Sequence, residues 1–364
     1  MKRLAALVLI LSCVLTLISC ANEQGGLVKE TIMQRTFLPN NTTNTIAVID
    51  NKMLYQTIDM GSSTFFMYDL EDGKESEIAT LSNYVMDSGS AVIIGDTVYE
   101  YITVVNQEGQ KQNELFAINC SDMTMESISI DIKSAPIISL YRISSGILAL
   151  KTTDSGTHFE LINVNTKTTN IVLEAPEGET FVTASIYDDH LFVFAYSGNS
   201  DNGYSYFIRE YDTEEYAGIA TVSLDNIEPY ISQTRIAEMG FFGEYLFLNN
   251  YSNIGLIASV NEDGTVSSLY EIQNAAYLSS NTGSGKEIFY VRQSNTYYVF
   301  NVDNGDLQHR ELNFGKKLTI RSMFFDGENI IVKMKENKEN KSNTYREEIY
   351  VFDQKALLNS GSVN

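Results

Sequence analysis

Seven times along the chain an apolar or alternating segment ends in Asp or Asn just before a turn, and this repeat constrains the fold more than any other feature. The segments are Phe66-Met67-Tyr68-Asp69, Phe116-Ala117-Ile118-Asn119, Ile162-Asn163-Val164-Asn165, Arg209-Glu210-Tyr211-Asp212, Ala258-Ser259-Val260-Asn261, Asn301-Val302-Asp303 and Tyr350-Val351-Phe352-Asp353. Successive terminal residues lie 50, 46, 47, 49, 42 and 50 positions apart. Alternation of apolar and polar residues is the strand pattern. A period in the forties with several short strands per repeat marks propeller blades rather than a helical solenoid.

Each repeat also carries an earlier apolar run, for example Ile147-Leu148-Ala149-Leu150, Leu191-Phe192-Val193-Phe194 and Tyr245-Leu246-Phe247-Leu248. These runs predict the second strand of each blade. Tight-turn pairs precede them, among them Asp50-Asn51, Gly95-Asp96 and Asp188-Asp189, residues that tolerate the positive φ a two-residue hairpin demands. No helical period is sustained over a dozen residues. The expected fold is therefore all-β, a seven-bladed propeller of four-stranded antiparallel blades, with the first strand of each blade lining a central channel.

The last blade lacks a fourth strand of its own, because the residues after Asp353 are few and polar. Residues 30–37 at the other end are strand-like and without a partner. They are expected to supply that outer strand and close the ring, since an open ring leaves a free sheet edge. The pattern, with its Tyr-x-apolar-Asp/Asn endings, resembles the broad superfamily of TolB-like and YVTN-type propeller repeats over residues 30–359. The chain has no Trp, which departs from the quinoprotein-type and WD repeats.

The N-terminus has a basic start, Lys2 and Arg3, then a mostly apolar stretch to Leu17, then Leu17-Ile18-Ser19-Cys20. The apolar stretch is shorter than the roughly 20 residues a bilayer-spanning helix requires and fits a secretory signal. The last four residues resemble the bacterial lipobox, which implies lipid attachment at Cys20 and an address outside the cytoplasmic membrane, on that membrane or on an outer membrane where the cell has one. The expected organisation is a signal peptide over residues 1–19, a lipidated tether over 20–29, a propeller over 30–359 and a tail over 360–364. Removal of Cys13 with the signal and acylation of Cys20 leave Cys120 alone, so packing rather than disulfides must hold the body together.

Composition narrows the partners. The formal net charge of −22 repels nucleic acid and anionic headgroups, so a cation, a basic protein or a neutral glycan is the expected partner, with the lipid anchor as the contact to the membrane. The three histidines, His158, His190 and His309, lie in different predicted blades and in no metal-ligand spacing. No phosphate loop, dinucleotide fingerprint or nucleophile elbow is present. No cofactor is expected; the oxygen-rich residues 198–203 are the one candidate for calcium, without the spacing of a calcium hand. The charge-mixed residues 333–343 read as a solvated loop.

Function in a propeller concentrates on the face built from the connections between blades and the hairpins joining second to third strands. That face is expected to receive Tyr84, Asp87, Lys133, Glu177, Asp225, Glu228 and Tyr230. Arg142, Arg235 and Arg321 fall on predicted first strands. They would converge into a carboxylate or anion site, or each would pair with a neighbouring acid. The expected function is a non-catalytic envelope lipoprotein gripping a protein, peptide or envelope polymer. The alternatives are a glycan hydrolase or lyase, identified by two carboxylates about 5 to 9.5 Å apart in a deep central pocket, and a scaffold of an envelope assembly complex.

Overall fold

A computed structural model describes residues 29–31, 42–59, 62–82, 84–105, 111–128, 137–199, 203–231, 236–250, 252–278, 285–312, 318–336 and 347–359. These build seven four-stranded sheets, antiparallel throughout. Blade one comprises Thr42–Ile49, Lys52–Asp59, Ser62–Asp69 and Glu75–Leu81; blade two Tyr84–Ile94, Thr97–Val105, Lys111–Asn119 and Thr124–Ile128. Blade three comprises Ile137–Ile143, Gly146–Thr153, Gly156–Asn163 and Thr168–Glu174; blade four Glu179–Tyr187, His190–Asn199, Gly203–Asp212 and Gly218–Ser223. Blade five comprises Ile236–Phe242, Tyr245–Asn250, Ile254–Val260 and Val266–Gln273; blade six Ala275–Leu278, Lys286–Val291, Thr296–Asn301 and Asp306–Glu311. Blade seven has Leu318–Phe325, Asn329–Glu336 and Glu347–Asp353, and its outer strand is Lys29–Thr31 from the other end of the chain. The expected seven-bladed propeller is the observed fold.

Ring closure follows the expected route. Lys29 pairs with Val351, Glu30 with Tyr350 and Thr31 with Ile349. Residues 32–37, which the sequence also assigned to this strand, lie outside the described residues. The C-terminal end folds into a short helix, Gln354–Asn359, that buries Leu357 and Leu358 against blades six and seven. Arg310 Nη1 donates to the carbonyl of Leu357 at 2.6 Å and Tyr297 OH to the same oxygen at 3.3 Å.

The core lies between blades rather than inside any one of them. Seven apolar clusters occur, each uniting the facing sides of two neighbouring blades, with the seventh joining blade seven to blade one. A second strand therefore packs on both faces. This is why Tyr245–Asn250 is buried at every position and Gly146–Thr153 over five consecutive residues, instead of alternating.

The repeat's Asp/Asn signature has a local cause. In blades one to four a side chain at the end of the third strand accepts backbone N–H groups two and three residues on and fixes the hairpin to the fourth strand, whereas in blade five Asn261 Nδ2 donates to Thr265 Oγ1. Asp69 Oδ1 accepts from Glu71 at 2.7 Å and Asp72 at 2.9 Å, and Asn119, Asn163 and Asp212 act alike. Asn301 accepts from Asp303. In blades three and six the capping residue is thus Asn163 or Asn301, two positions before the Asn165 and Asp303 that the sequence pattern singled out. The first-to-second hairpins of blades one and four carry positive φ at both central residues, Asp50 and Asn51, and Asp188 and Asp189.

One sequence expectation is corrected in detail. Residues 333–336 continue the second strand of blade seven, and Lys333 is buried rather than solvated in a loop. Cys120 follows a strand as a turn residue but is only 3% exposed in the core between blades one and two, where burial pushes its thiol up to about 11.

Candidate functional site

In a ring of such sheets the first-to-second and third-to-fourth hairpins share one face. The blade-to-blade connections and second-to-third hairpins share the other, here called the loop face. The first strands of neighbouring blades touch one another around the axis.

Blade four carries the most prominent described feature of the loop face. Its second and third strands, His190–Asn199 and Gly203–Asp212, are paired over all ten positions, from His190 with Asp212 to Asn199 with Gly203. The distal part bears a tyrosine cluster. The rings of Tyr196 and Tyr204 meet edge to face at 5.4 Å, and Tyr206 lies 6.2 Å from each. Phe194 continues the stack towards the core, 6.1 Å from Tyr206, whereas Tyr204 is 43% exposed. Gly198 makes the neck possible: at φ +102° a Cβ would meet the carbonyl oxygen of Gly203 at 2.2 Å. Lower in the blade, Arg209 donates through Nε and Nη2 to both oxygens of Glu179 on the first strand. This bidentate pair ties the third strand to the first.

The other predicted site residues are spread out. Tyr84 and Asp87 lie on the first strand of blade two, in register with Val105 and Thr103. Arg142 is exposed and pairs with Ile147, next to the Ser144-Ser145 hairpin. Arg321 is exposed at the bulge between Ile320 and Ser322, towards the opposite end of its strand. Measured from their hairpins, the two arginines differ by about 10 Å along the strand direction. Arg235 lies outside the described residues. Tyr230 sits on a single helical turn, Glu228–Ile231, and Glu271 of the outer strand of blade five raises its hydroxyl above the ordinary tyrosine value. Beside it is a crevice of about 10 Å³ lined by Ile231, Ile236, Leu248 and Asn250, room for no more than about one water. Of the calcium candidate, residues 198–203, Gly198, Asn199 and Gly203 belong to the strands of the tyrosine hairpin, and residues 200–202 lie outside the described ones.

A set of buried charges escaped the sequence reading. Lys151 pairs with Glu160 between blades two and three, and Lys333 with Glu347 at 3.1 Å between blades seven and one. Glu100 is 1% exposed between blades one and two, where burial pushes its carboxyl up to about 8. Between blades five and six, Tyr277 OH donates to Glu287 Oε2 at 2.9 Å and Tyr277 N to Glu238 Oε1 at 3.3 Å. Burial pushes Glu287 up to about 7 against that hydrogen bond, and raises Glu238 against the pull of Arg292. The available signal was a charged residue interrupting an apolar second-strand run, as in Tyr99-Glu100-Tyr101 and Val332-Lys333-Met334.

His190 meets Glu210 on blade four and His309 meets Glu311 on the outer strand of blade six. Among the described residues no group of three or more His, Cys, Asp or Glu is placed to hold a metal ion. Fold and site together define the class: a seven-bladed propeller presenting an aromatic hairpin on its loop face. No family model matches the chain, and no curated protein matches it in sequence.

Proposed function

We propose that this chain is an extracytoplasmic lipoprotein, acylated at Cys20, that binds a protein, peptide or envelope polymer without catalysis. The tyrosine hairpin of blade four is its principal contact. That hairpin is the observation that carries the reading. Tyrosines offer large rigid contact area with a polar tip at small entropic cost, and exposed clusters of them favour protein or glycan contact.

The topology supports the choice of face. Lys29 pairs near the end of the third strand of blade seven, so the chain enters its outer strand from the face opposite the loop face. An anchor at Cys20 would hold that face towards the membrane, and the eight residues between Cys20 and Lys29 span at most about 30 Å. The loop face would then point away from the bilayer, towards partners.

The test is binding of the purified soluble propeller to isolated cell envelope, with Tyr196→Ala/Tyr204→Ala alongside. A loss of about tenfold or more in affinity at an unchanged melting temperature is expected; equal binding by the variant would remove the hairpin from the account. In the same cells full-length Cys20→Ala should leave the membrane fraction, and its retention there would remove the anchor.

A further inference from the structure

At the junction of blades one and two, three polar side chains are buried with atoms that meet no partner. They are Gln56 (Oε1 and Nε2), Ser63 (Oγ) and Glu100 (Oε2), each 1% exposed or less. Register places them on the two apposed faces. Gln56 alternates with Leu54 on the second strand of blade one and pairs with Phe65, and Ser63 is two positions before Phe65. Glu100 stands between Val98 and Ile102 on blade two and pairs with Phe116. Leu54, Phe65, Val98, Ile102 and Phe116 share one core cluster, so the three polar groups face into the same junction.

The flanking junctions show what is missing. Between blades seven and one, Glu347 meets the ammonium of Lys333, which also donates to Thr45 Oγ1 at 3.2 Å. Between blades two and three, Glu160 meets the ammonium of Lys151. Among the described residues Glu100 has no lysine in that place. A buried carboxylate ionises only with a counter-charge beside it. One carboxylate balances one positive charge, whereas a divalent ion would leave the junction net positive.

We propose that a monovalent alkali cation binds between blades one and two, held by Glu100, Gln56 Oε1 and Ser63 Oγ, in the role the lysine ammonium plays in the two adjoining junctions. The donors are hard oxygens, which suit such an ion. The register of the first strand of blade two shifts between Ser88 and Ala91, and Ala91 is the ladder partner of Glu100. Binding exchanges the ion for the carboxyl proton: the neutral acid and the free cation give the carboxylate-bound cation and a released proton. Of the charged groups on the same faces, Lys52 acts on Cys120 at the hairpin rim with Asp69 beside it in the ladder, and Glu114 at the opposite rim is bonded by Ser127. Burial raises the Glu100 carboxyl.

The experiment is thermal unfolding above pH 8 in sodium, potassium or choline chloride at equal ionic strength. Sodium or potassium should raise the melting temperature of the wild type by about 3 °C or more over choline, with the gain shrinking towards pH 6, and Glu100→Gln should show no difference. A gain retained by Glu100→Gln, or equal melting in all three salts, would overturn the site. Carbon NMR of the wild-type Glu100 carboxyl needs no variant: its titration midpoint should fall on adding sodium or potassium chloride and not choline chloride. A midpoint unmoved by all three salts would mean bound water only and would also overturn it.

Discussion

Lys333 Nζ of the last blade donates to Thr45 Oγ1 of the first at 3.2 Å, across 288 positions of sequence, while its charge is met by Glu347 at 3.1 Å. Both members of the ion pair are buried, at 2% and 8% exposure. The pair sits between the last blade and the first, so it ties together two blades built from opposite ends of the chain.

Removing one member leaves an uncompensated charge in an apolar junction. Lys333→Ala is expected to cost about 3–5 kcal/mol, whereas Lys333→Met with Glu347→Leu should recover most of that loss, because apolar packing replaces a buried pair without leaving a lone ion. Chemical denaturation of the single and double variants gives both numbers.

Gly240 and Tyr277 form a second tight relationship, between blades five and six. A Cβ on Gly240 would stand 2.6 Å from two ring atoms of Tyr277, which is itself bonded to Glu287 and cannot swing freely. Gly240→Ala should therefore cost about 1–3 kcal/mol. In Tyr277→Ala the same change should cost almost nothing, a non-additivity that a double-mutant cycle reads directly.

The carboxyls of Glu100 and Glu287 titrate near 8 and near 7 in the folded chain, against an ordinary 4.5. Between 4.5 and those values the native state holds protons that the unfolded chain has released. In buffers whose only cation is choline, their contribution to stability must fall as pH rises through that window and level off above about pH 8. For Glu100 the span corresponds to at most about 5 kcal/mol. Glu100→Gln should flatten the upper part of the stability profile and be more stable than the wild type at pH 8 in that buffer; a wild-type profile that rises between pH 6 and pH 8 would contradict the assignment.

Much of the fold was legible because its causes are local. Asp69, Asn119 and Asp212 mark hairpins since their side chains bind the following N–H groups, and the second strands announce themselves as unbroken apolar runs because blades cover both their faces. The orphan strand-like segment at the N-terminus and the missing fourth strand of blade seven pointed to each other for a reason of sheet edges alone. First strands were harder to read: that of blade six is only Ala275–Leu278, and bulges elsewhere shift which residue meets the axis. That is why Arg142 and Arg321 looked alike in sequence yet stand at different levels. The short helix after Asp353 left no signal longer than one turn and a half, and the burial of Lys333 depends on a partner, Glu347, that only strand pairing identifies.

Closure of the ring by the first described strand fixes where an anchor would leave the body and which face it would turn outward. Calorimetry of a chain lacking residues 29–31 tests it most directly. A melting temperature lower by about 5 °C or more is expected, together with self-association through the bared edge of Glu347–Asp353. A deletion variant that melts at the wild-type temperature and remains as monodisperse as the wild type would contradict it.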